Sequence, residues 1–324
     1  MEYRRLGRSG LKVSEVGLGS WLTYGGAVGS DAARSCIRRA YELGINFFDT
    51  ANVYRRGAAE QVLGEALAEY PRDSLVVATK VFFPMGDGPN DGGLSRKHIM
   101  EQCHASLRRL RTDYVDLYQF HRYDAGVTLD ECLHALDDLV TQGKVLYGGV
   151  SEWRAPQIEQ AVELQERRGW HRLASNQPQY SMLFRDIEAE VIPTSERLGL
   201  GQVVWSPLAQ GVLTGKYRPD APPPQGTRAT DPTQNMFMEP LLQRFVLEAV
   251  ERLRPIAADL GITLPQLALA WVLRQPNVSS AIVGATRVEQ VEGNAAASGV
   301  KLDAGVLERI DTALKGAVRW TKDG

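Results

Sequence analysis

The chain has 324 residues, of which 44% are hydrophobic and 23% charged, with 31 Gly and 16 Pro; this composition excludes disordered, collagen-like and coiled-coil readings. Its 37 basic and 39 acidic residues leave a formal charge of −2, which gives a polyanionic partner such as nucleic acid no electrostatic support. No apolar run approaches the roughly 20 residues of a membrane-spanning helix, and the charged start Met1-Glu2-Tyr3-Arg4-Arg5-Leu6 lacks a signal core. Cys36, Cys103 and Cys132 are far apart in sequence with no Cys-x-x-Cys pair. They read as buried thiols of a cytoplasmic protein rather than a disulfide frame or zinc site.

In chain order, Met1–Val16 reads as a hairpin turning at Arg8-Ser9-Gly10. Short apolar runs then alternate with amphipathic stretches. The expected strands are Val16–Gly19, Asn46–Asp49, Leu75–Thr79, Val115–Phe120, Val145–Val150, Leu173–Gln177, Gln202–Trp205 and Ala281–Val283. Most are continuously apolar, as parallel strands buried on both faces should be. Helices are expected at Ala32–Leu43, Ala59–Glu69, Arg96–Leu110, Leu129–Gln142 and Ala155–Arg168, with Ser95 as an N-cap and Gly44 and Gly143 as left-handed terminators. Eight strands separated by helices point to a (β/α)8 barrel forming a single domain over residues 1–324, with the hairpin covering its bottom. A doubly wound open sheet is the competing architecture. Tyr217–Met236 carries five prolines and few apolar residues; a loop of that length in a compact domain is usually functional, often a lid. Ala304–Val318 reads as an extra closing helix.

Polar residues end several of the apolar runs abruptly: Phe47-Phe48 runs into Asp49, Val76-Val77-Ala78-Thr79 into Lys80, and Leu117-Tyr118-Gln119-Phe120 into His121. In a barrel these ends share one mouth, where catalytic groups gather. Taken singly, each such residue is more often structural than functional. Jointly they are harder to dismiss, because a buried ammonium needs a counter-charge and Asp49 is the one available. Tyr54 follows five residues after Asp49. A phenol titrates near pH 10, and an adjacent Lys80 ammonium is expected to lower that value and make the hydroxyl a better proton donor. His121 would orient a carbonyl oxygen beside it. Such a set can polarise a carbonyl and protonate the developing alkoxide. It holds no nucleophile and no metal cluster, so the hydride must come from a cofactor.

Gly17-Leu18-Gly19-Ser20-Trp21, Phe48-Asp49-Thr50-Ala51-Asn52-Val53-Tyr54, Thr79-Lys80 and Gln119-Phe120-His121 resemble the aldo-keto reductase superfamily. So do Gly149-Val150-Ser151, Asn176-Gln177, Trp205-Ser206-Pro207-Leu208 and Ile282-Val283-Gly284-Ala285. The match runs in order from about Tyr3 to about Ala297 and looks closest to the branch of potassium-channel β subunits and their bacterial relatives. The resemblance implies a catalytic tetrad of Asp49, Tyr54, Lys80 and His121 and an NADP(H) cofactor extended across the mouth. It implies contacts from Ser20, Trp21 and Asp49, a Trp205 stack on the nicotinamide, and a carboxamide grip by Ser151 and Gln177. Ser206, Pro207, Leu208, Gly211 and Lys216 would follow the pyrophosphate. Arg228, Gly284, Thr286, Arg287, Gln290 and Asn294 would meet the adenosine phosphate end. No G-x-G-x-x-G follows the first barrel strand, so a Rossmann cradle is missing, and Lys216, Arg228 and Arg287 supply cations in its place.

Two positions depart from the family pattern. Glu152 stands where relatives often carry Asn or Arg, and as a carboxylate it cannot donate hydrogen bonds, so it is left off the binding set. Gly293 stands where relatives often carry Glu, which puts one adenine contact in doubt. His121 is present where the channel subunits typically carry Asn, favouring a working reductase over a regulatory subunit. Trp21, Tyr24, Tyr54, Phe82 and His121, with Phe83 nearby, would line a pocket suited to aryl or short-chain carbonyl substrates.

The primary expectation is an NADPH-dependent reductase of aldehydes or ketones. The alternative is an NADP(H)-binding β-subunit-like module with slow chemistry. A metal hydrolase lacks paired ligands, since His98, His104, His134 and His171 fall mainly on helical stretches. The resemblance points to a tetramer or larger assembly, while barrels also work as monomers, and both stay open.

Overall fold

The chain opens with β1 (Tyr3–Arg5) and β2 (Lys12–Ser14), an antiparallel hairpin. The structure is a computed structural model that describes residues 1–21, 23–24 and 29–319. The next eight strands are β3 (Val16–Gly19), β4 (Phe47–Asp49), β5 (Val76–Val81), β6 (Val115–Phe120), β7 (Val145–Ser151), β8 (Leu173–Gln177), β9 (Gly201–Val204) and β10 (Val278–Val283). Each pairs in parallel with the next, and β10 returns to β3, closing the barrel. Closure excludes the open doubly wound sheet.

Helices α1 (Ser30–Glu42), α2 (Ala58–Leu67), α3 (Arg96–Leu110), α4 (Leu129–Thr141), α5 (Ala155–Arg168) and α6 (Val191–Leu198) each follow a strand. Between β9 and β10 lie α7 (Arg244–Glu251), α8 (Arg254–Asp259) and α9 (Leu264–Leu273); α10 (Val288–Ala295) and α11 (Ala304–Ala313) complete the described chain. Ser95 Oγ accepts from His98 N at 3.2 Å and caps α3, while Gly44 and Gly143 take left-handed φ values of +84° and +68° just after α1 and α4. The closing helix is shorter than its sequence pattern, stopping at Ala313 rather than Val318. No single helix among the described residues is long and apolar enough to cross a membrane. All three cysteine thiols are free and buried.

The strands are apolar on both faces because one face meets the helices and the other fills the barrel. Leu6 and Val13 of the hairpin pack with Phe47, Val76, Leu117 and Val203 in the barrel's own interior cluster. The hairpin therefore plugs the bottom, as the sequence suggested. It is fastened to the last strands and helices: Arg4 donates to the carbonyls of Leu273 (2.7 Å) and Val278 (2.9 Å), and Glu15 accepts from Gly299 N at 2.9 Å.

Candidate active site

Side chains alternate along a strand, so the interior series continues upward as Phe47 to Asp49, Val76 and Ala78 to Lys80, and Leu117 through Gln119 to His121. The apolar layers at the bottom thus give way to a polar layer at the C-terminal rim. Lys80 lies inside β5, one residue short of its end, rather than beyond the strand as the sequence suggested. Tyr54 opens the 3-10 turn Tyr54–Gly57 after β4.

Lys80 is fully buried. Its ammonium donates to Asp49 Oδ2 at 2.5 Å, to the Thr50 carbonyl at 2.7 Å and to Tyr54 Oη at 3.4 Å. The other Asp49 oxygen accepts from Gln177 Nε2 at 2.8 Å and from Gln119 Nε2 at 3.5 Å. The Tyr54 and His121 rings meet edge-on with centroids 5.8 Å apart. The structure therefore brings together the three residues singled out at the strand ends and Tyr54 from the following turn. Gln119 is a member that the sequence reading missed; the period of two from Leu117 to His121 was the signal for it.

Burial sets the protonation of this cluster. It holds the Tyr54 phenol well above its ordinary value, and the Asp49 carboxylate pushes in the same direction. This corrects the expectation that Lys80 lowers it: desolvation of a phenolate outweighs the neighbouring ammonium. The His121 imidazole is held well below its ordinary value by burial, then by the Lys80 and Arg122 charges. For Lys80, burial lowers the pKa and the Asp49 ion pair opposes it. The resting cluster is a protonated phenol, a neutral imidazole and a buried ion pair.

Around it the aromatic residues sort differently from the sequence reading. Trp21 lies 6.5 Å from Tyr54 and 6.0 Å from Trp205, ring centroid to centroid. Phe83, rather than Phe82, stands edge-on to His121 at 4.9 Å; Phe82 packs on the helix-side core. Tyr24 is fully buried against the hydrophobic core, its hydroxyl near the Cys36 thiol. Ser20 is buried too, and its hydroxyl is spent on Thr50 Oγ1 at 2.8 Å.

The residues expected to hold a dinucleotide form two groups. Ser151 Oγ donates to the Gln177 carbonyl at 2.8 Å, which fixes the end of β7 against that of β8. Beyond β9, Trp205 leads into Ser206, Pro207 and Leu208, and the backbone turns left-handed at Ser206 and again over three successive residues, Ala209, Gln210 and Gly211. Left-handed non-glycine residues carry strain that persists where surrounding structure over-determines it, commonly at ligand sites. A Cβ on Gly211 would come within 3.1 Å of Lys216 Nζ, so the ammonium lies directly over that backbone. Lys216 and Arg228 form no ion pair among the described residues, while Gln210 Nε2 and Tyr217 Oη are buried without partners. A cation pair beside unpaired buried polar atoms fits an anionic, phosphate-bearing cofactor. Arg228 bonds Gln210 Oε1, and its guanidinium carbon lies 6.0 Å from the centroid of the Trp21 ring. The second group follows β10. Gly284 is exposed, Gln290 Oε1 accepts from Thr286 N at 2.8 Å, Arg287 is exposed beside Glu289, and Asn294 is buried.

Glu152 has a role that its chemistry as an acceptor explains. Its Oε1 accepts from the Trp205 indole at 2.7 Å and from Gln179 N at 2.6 Å, with the residue itself at φ +59°. A carboxylate that cannot grip a cofactor can still fix the ring beside it. Two other histidines lie elsewhere: His134 of α4 stacks on Trp170, and His171, in the connection between α5 and β8 rather than on a helix, pairs with Asp137.

Fold and cluster together define a (β/α)8 barrel whose polar groups gather at the C-terminal rim of its strands. The family model described as "Aldo/keto reductase family" matches residues 15–315, and the chain belongs to that family. Among curated relatives, a "Probable voltage-gated potassium channel subunit beta" of Arabidopsis thaliana is 43% identical over 91% of this chain and 90% of its own. A relative of the same name from Oryza sativa subsp. japonica is 39% identical, covering 99% of both chains. A "Putative voltage-gated potassium channel subunit beta" of Schizosaccharomyces pombe is 42% identical over 96% of this chain and 93% of its own.

Proposed function

We propose that the protein is an NADPH-dependent reductase that converts aldehydes or ketones to alcohols, with Tyr54 as the general acid. The observation that carries this reading is the Tyr54–Lys80–Asp49 chain of contacts beside a neutral His121. NADPH, when bound, would supply the hydride. Trp205 would face its nicotinamide, Ser151 and Gln177 its carboxamide, Lys216 and the 206–211 segment its pyrophosphate, and Thr286, Arg287, Gln290 and Asn294 its adenosine end.

The chain's own groups then divide the remaining work. His121, uncharged, donates to the carbonyl oxygen from one ring nitrogen and orients it toward Tyr54 Oη. As that oxygen becomes an alkoxide, Tyr54 gives up its proton; the phenol's raised pKa keeps that proton in place until a stronger base forms. Lys80 stabilises the transient phenolate, and Asp49 keeps the ammonium aimed. The test is NADPH oxidation with a panel of aldehydes and ketones. Tyr54→Phe should lower kcat by about 10²–10⁴-fold, the usual worth of a positioned acid, with NADPH affinity nearly unchanged. Wild-type turnover in that variant overturns the assignment.

The relatives named as channel subunits favour a second reading, a β-subunit-like protein that binds NADP(H) and docks on a channel partner with slow chemistry. His121 in the cluster argues for the enzyme. Tight NADPH binding with no turnover across the panel would favour the subunit.

A further inference from the structure

The mouth contains a cation that neither the cluster nor the cofactor reading uses. Arg122 follows His121 at the end of β6. Its Nη1 donates to the His121 carbonyl at 2.6 Å, and its guanidinium carbon lies 5.5 Å from the centroid of the Phe83 ring. Phe83 in turn stands against His121. Arg122 is half-buried, and its charge is felt at Tyr54, Lys80 and His121 alike. Yet it forms no ion pair among the described residues.

Nearby carboxylates are engaged elsewhere. Asp49 is held by Lys80 and Gln177, Glu152 by Trp205 and Gln179, and Asp124 by the backbone N–H groups of Leu94 and Gly126. The phosphate groups of a dinucleotide do not answer to Arg122 either. Lys216 and Arg228 follow β9, whereas β6 lies three strands round the ring from β9 and directly across it from β10. A guanidinium has five donors in a planar fork and stays charged at any ordinary pH. Partly withdrawn from water, with one donor used and no ion-pair partner among the described residues, it is a ready seat for an anion.

We propose that Arg122 is a specificity-determining residue that takes the carboxylate of an anionic carbonyl substrate. The proposal deepens the reductase reading and rests on it. The Phe83 ring touches both the imidazole and the guanidinium, so a substrate lying on it would present its carbonyl to His121 and Tyr54 and its carboxylate to the Arg122 fork. Arg122 would then favour carboxylate-bearing aldehydes and keto acids over neutral aldehydes of the same shape.

Two measurements test this. The first compares kcat/KM for 3- and 4-carboxybenzaldehyde with the matching carbamoylbenzaldehydes, which keep the shape and remove the charge. The better carboxylate should exceed its amide by about tenfold to a hundredfold, the worth of charge-assisted bonds to a fork. Arg122→Leu should bring that ratio to about one, and Arg122→Lys should keep part of it. Reading the ratio removes any loss common to both substrates, including one caused by a changed His121. The second measurement titrates benzoate against benzamide into cofactor-free protein by tryptophan fluorescence, since Trp21 and Trp205 flank the mouth. Benzoate should bind more tightly, and Arg122→Leu should abolish the difference. Equal ratios in the wild type, or a carboxylate preference that survives Arg122→Leu, overturn the proposal. Benzoate preference without turnover of any aldehyde would leave the anion site standing and sink the reductase reading instead.

Discussion

Asp49→Asn swaps a carboxylate for an amide of the same shape beside a fully buried ammonium. The 2.5 Å ion pair with Lys80 disappears while the Thr50 carbonyl at 2.7 Å remains. Both members are inside the barrel, with side-chain exposures of 0% and 5%, so water cannot compensate. Stranding one partner of a buried pair costs about 3–5 kcal/mol. Unfolding entropy of about 2.1 cal/mol/K per residue gives roughly 0.7 kcal/mol/K for 324 residues, so Tm should fall by about 4–7 °C. Urea unfolding at neutral pH should show the loss as a lower midpoint with an unchanged slope. Added salt should hardly alter it, since screening acts on exposed pairs. The decisive comparison is Asp49→Asn combined with Lys80→Met. Removing both charges should restore most of the stability, because the cost lies in the stranded ammonium and not in the missing carboxylate. If Asp49→Asn alone were as stable as the wild type, or the double variant no better than the single, the pair would not be a buried charge couple and the cluster's electrostatics would be wrong.

His121 should leave a signature in the pH dependence of stability. Its folded-state pKa lies below that of the unfolded chain, so between the two values the unfolded state binds more protons and stability falls as pH falls. The slope is about 1.4 kcal/mol per pH unit below about pH 6.5. His121→Asn should flatten the urea-midpoint profile over that range, and an unchanged profile would mean the imidazole is already charged when folded. His98 shifts in the same direction, so only the difference between the two proteins reports on His121. Glu152→Ala should leave the Trp205 indole without its acceptor and weaken NADPH binding by several-fold to about tenfold, as expected for a lost charge-assisted bond of 1–3 kcal/mol that acts only through ring placement. Glu152→Gln, which keeps an acceptor oxygen, should rescue most of it. Equal affinity in all three proteins would remove Glu152 from the account.

Much of the barrel is legible in the sequence because its strands are unbroken apolar runs, and a residue such as Asp49 at the end of one announces the rim. A charge ordinarily ends an apolar run, which by sequence puts Lys80 beyond its strand; here the ion pair with Asp49 lets the strand continue to Val81. Alternation along β6 contained Gln119 as plainly as His121. Phe82 and Phe83 could not be told apart, because both follow the last residue of β5, where the period of two no longer applies. Arg228 lies in a proline-rich loop without periodicity, so nothing in the chain foretold its place over Trp21. Neighbours along the sequence gave Lys80 beside Tyr54, but only the packed structure gives the desolvation that decides the phenol's acidity.

The stopper formed by Leu6 and Val13, with the packed side chains above it, closes the lower end of the barrel and leaves the upper rim as the way in. Reactants and products would have to pass the same rim where Trp21, Trp205 and Arg228 stand together, so a dinucleotide seated there would control traffic for everything deeper. Entry and exit would then be queued, with the larger molecule first in and last out.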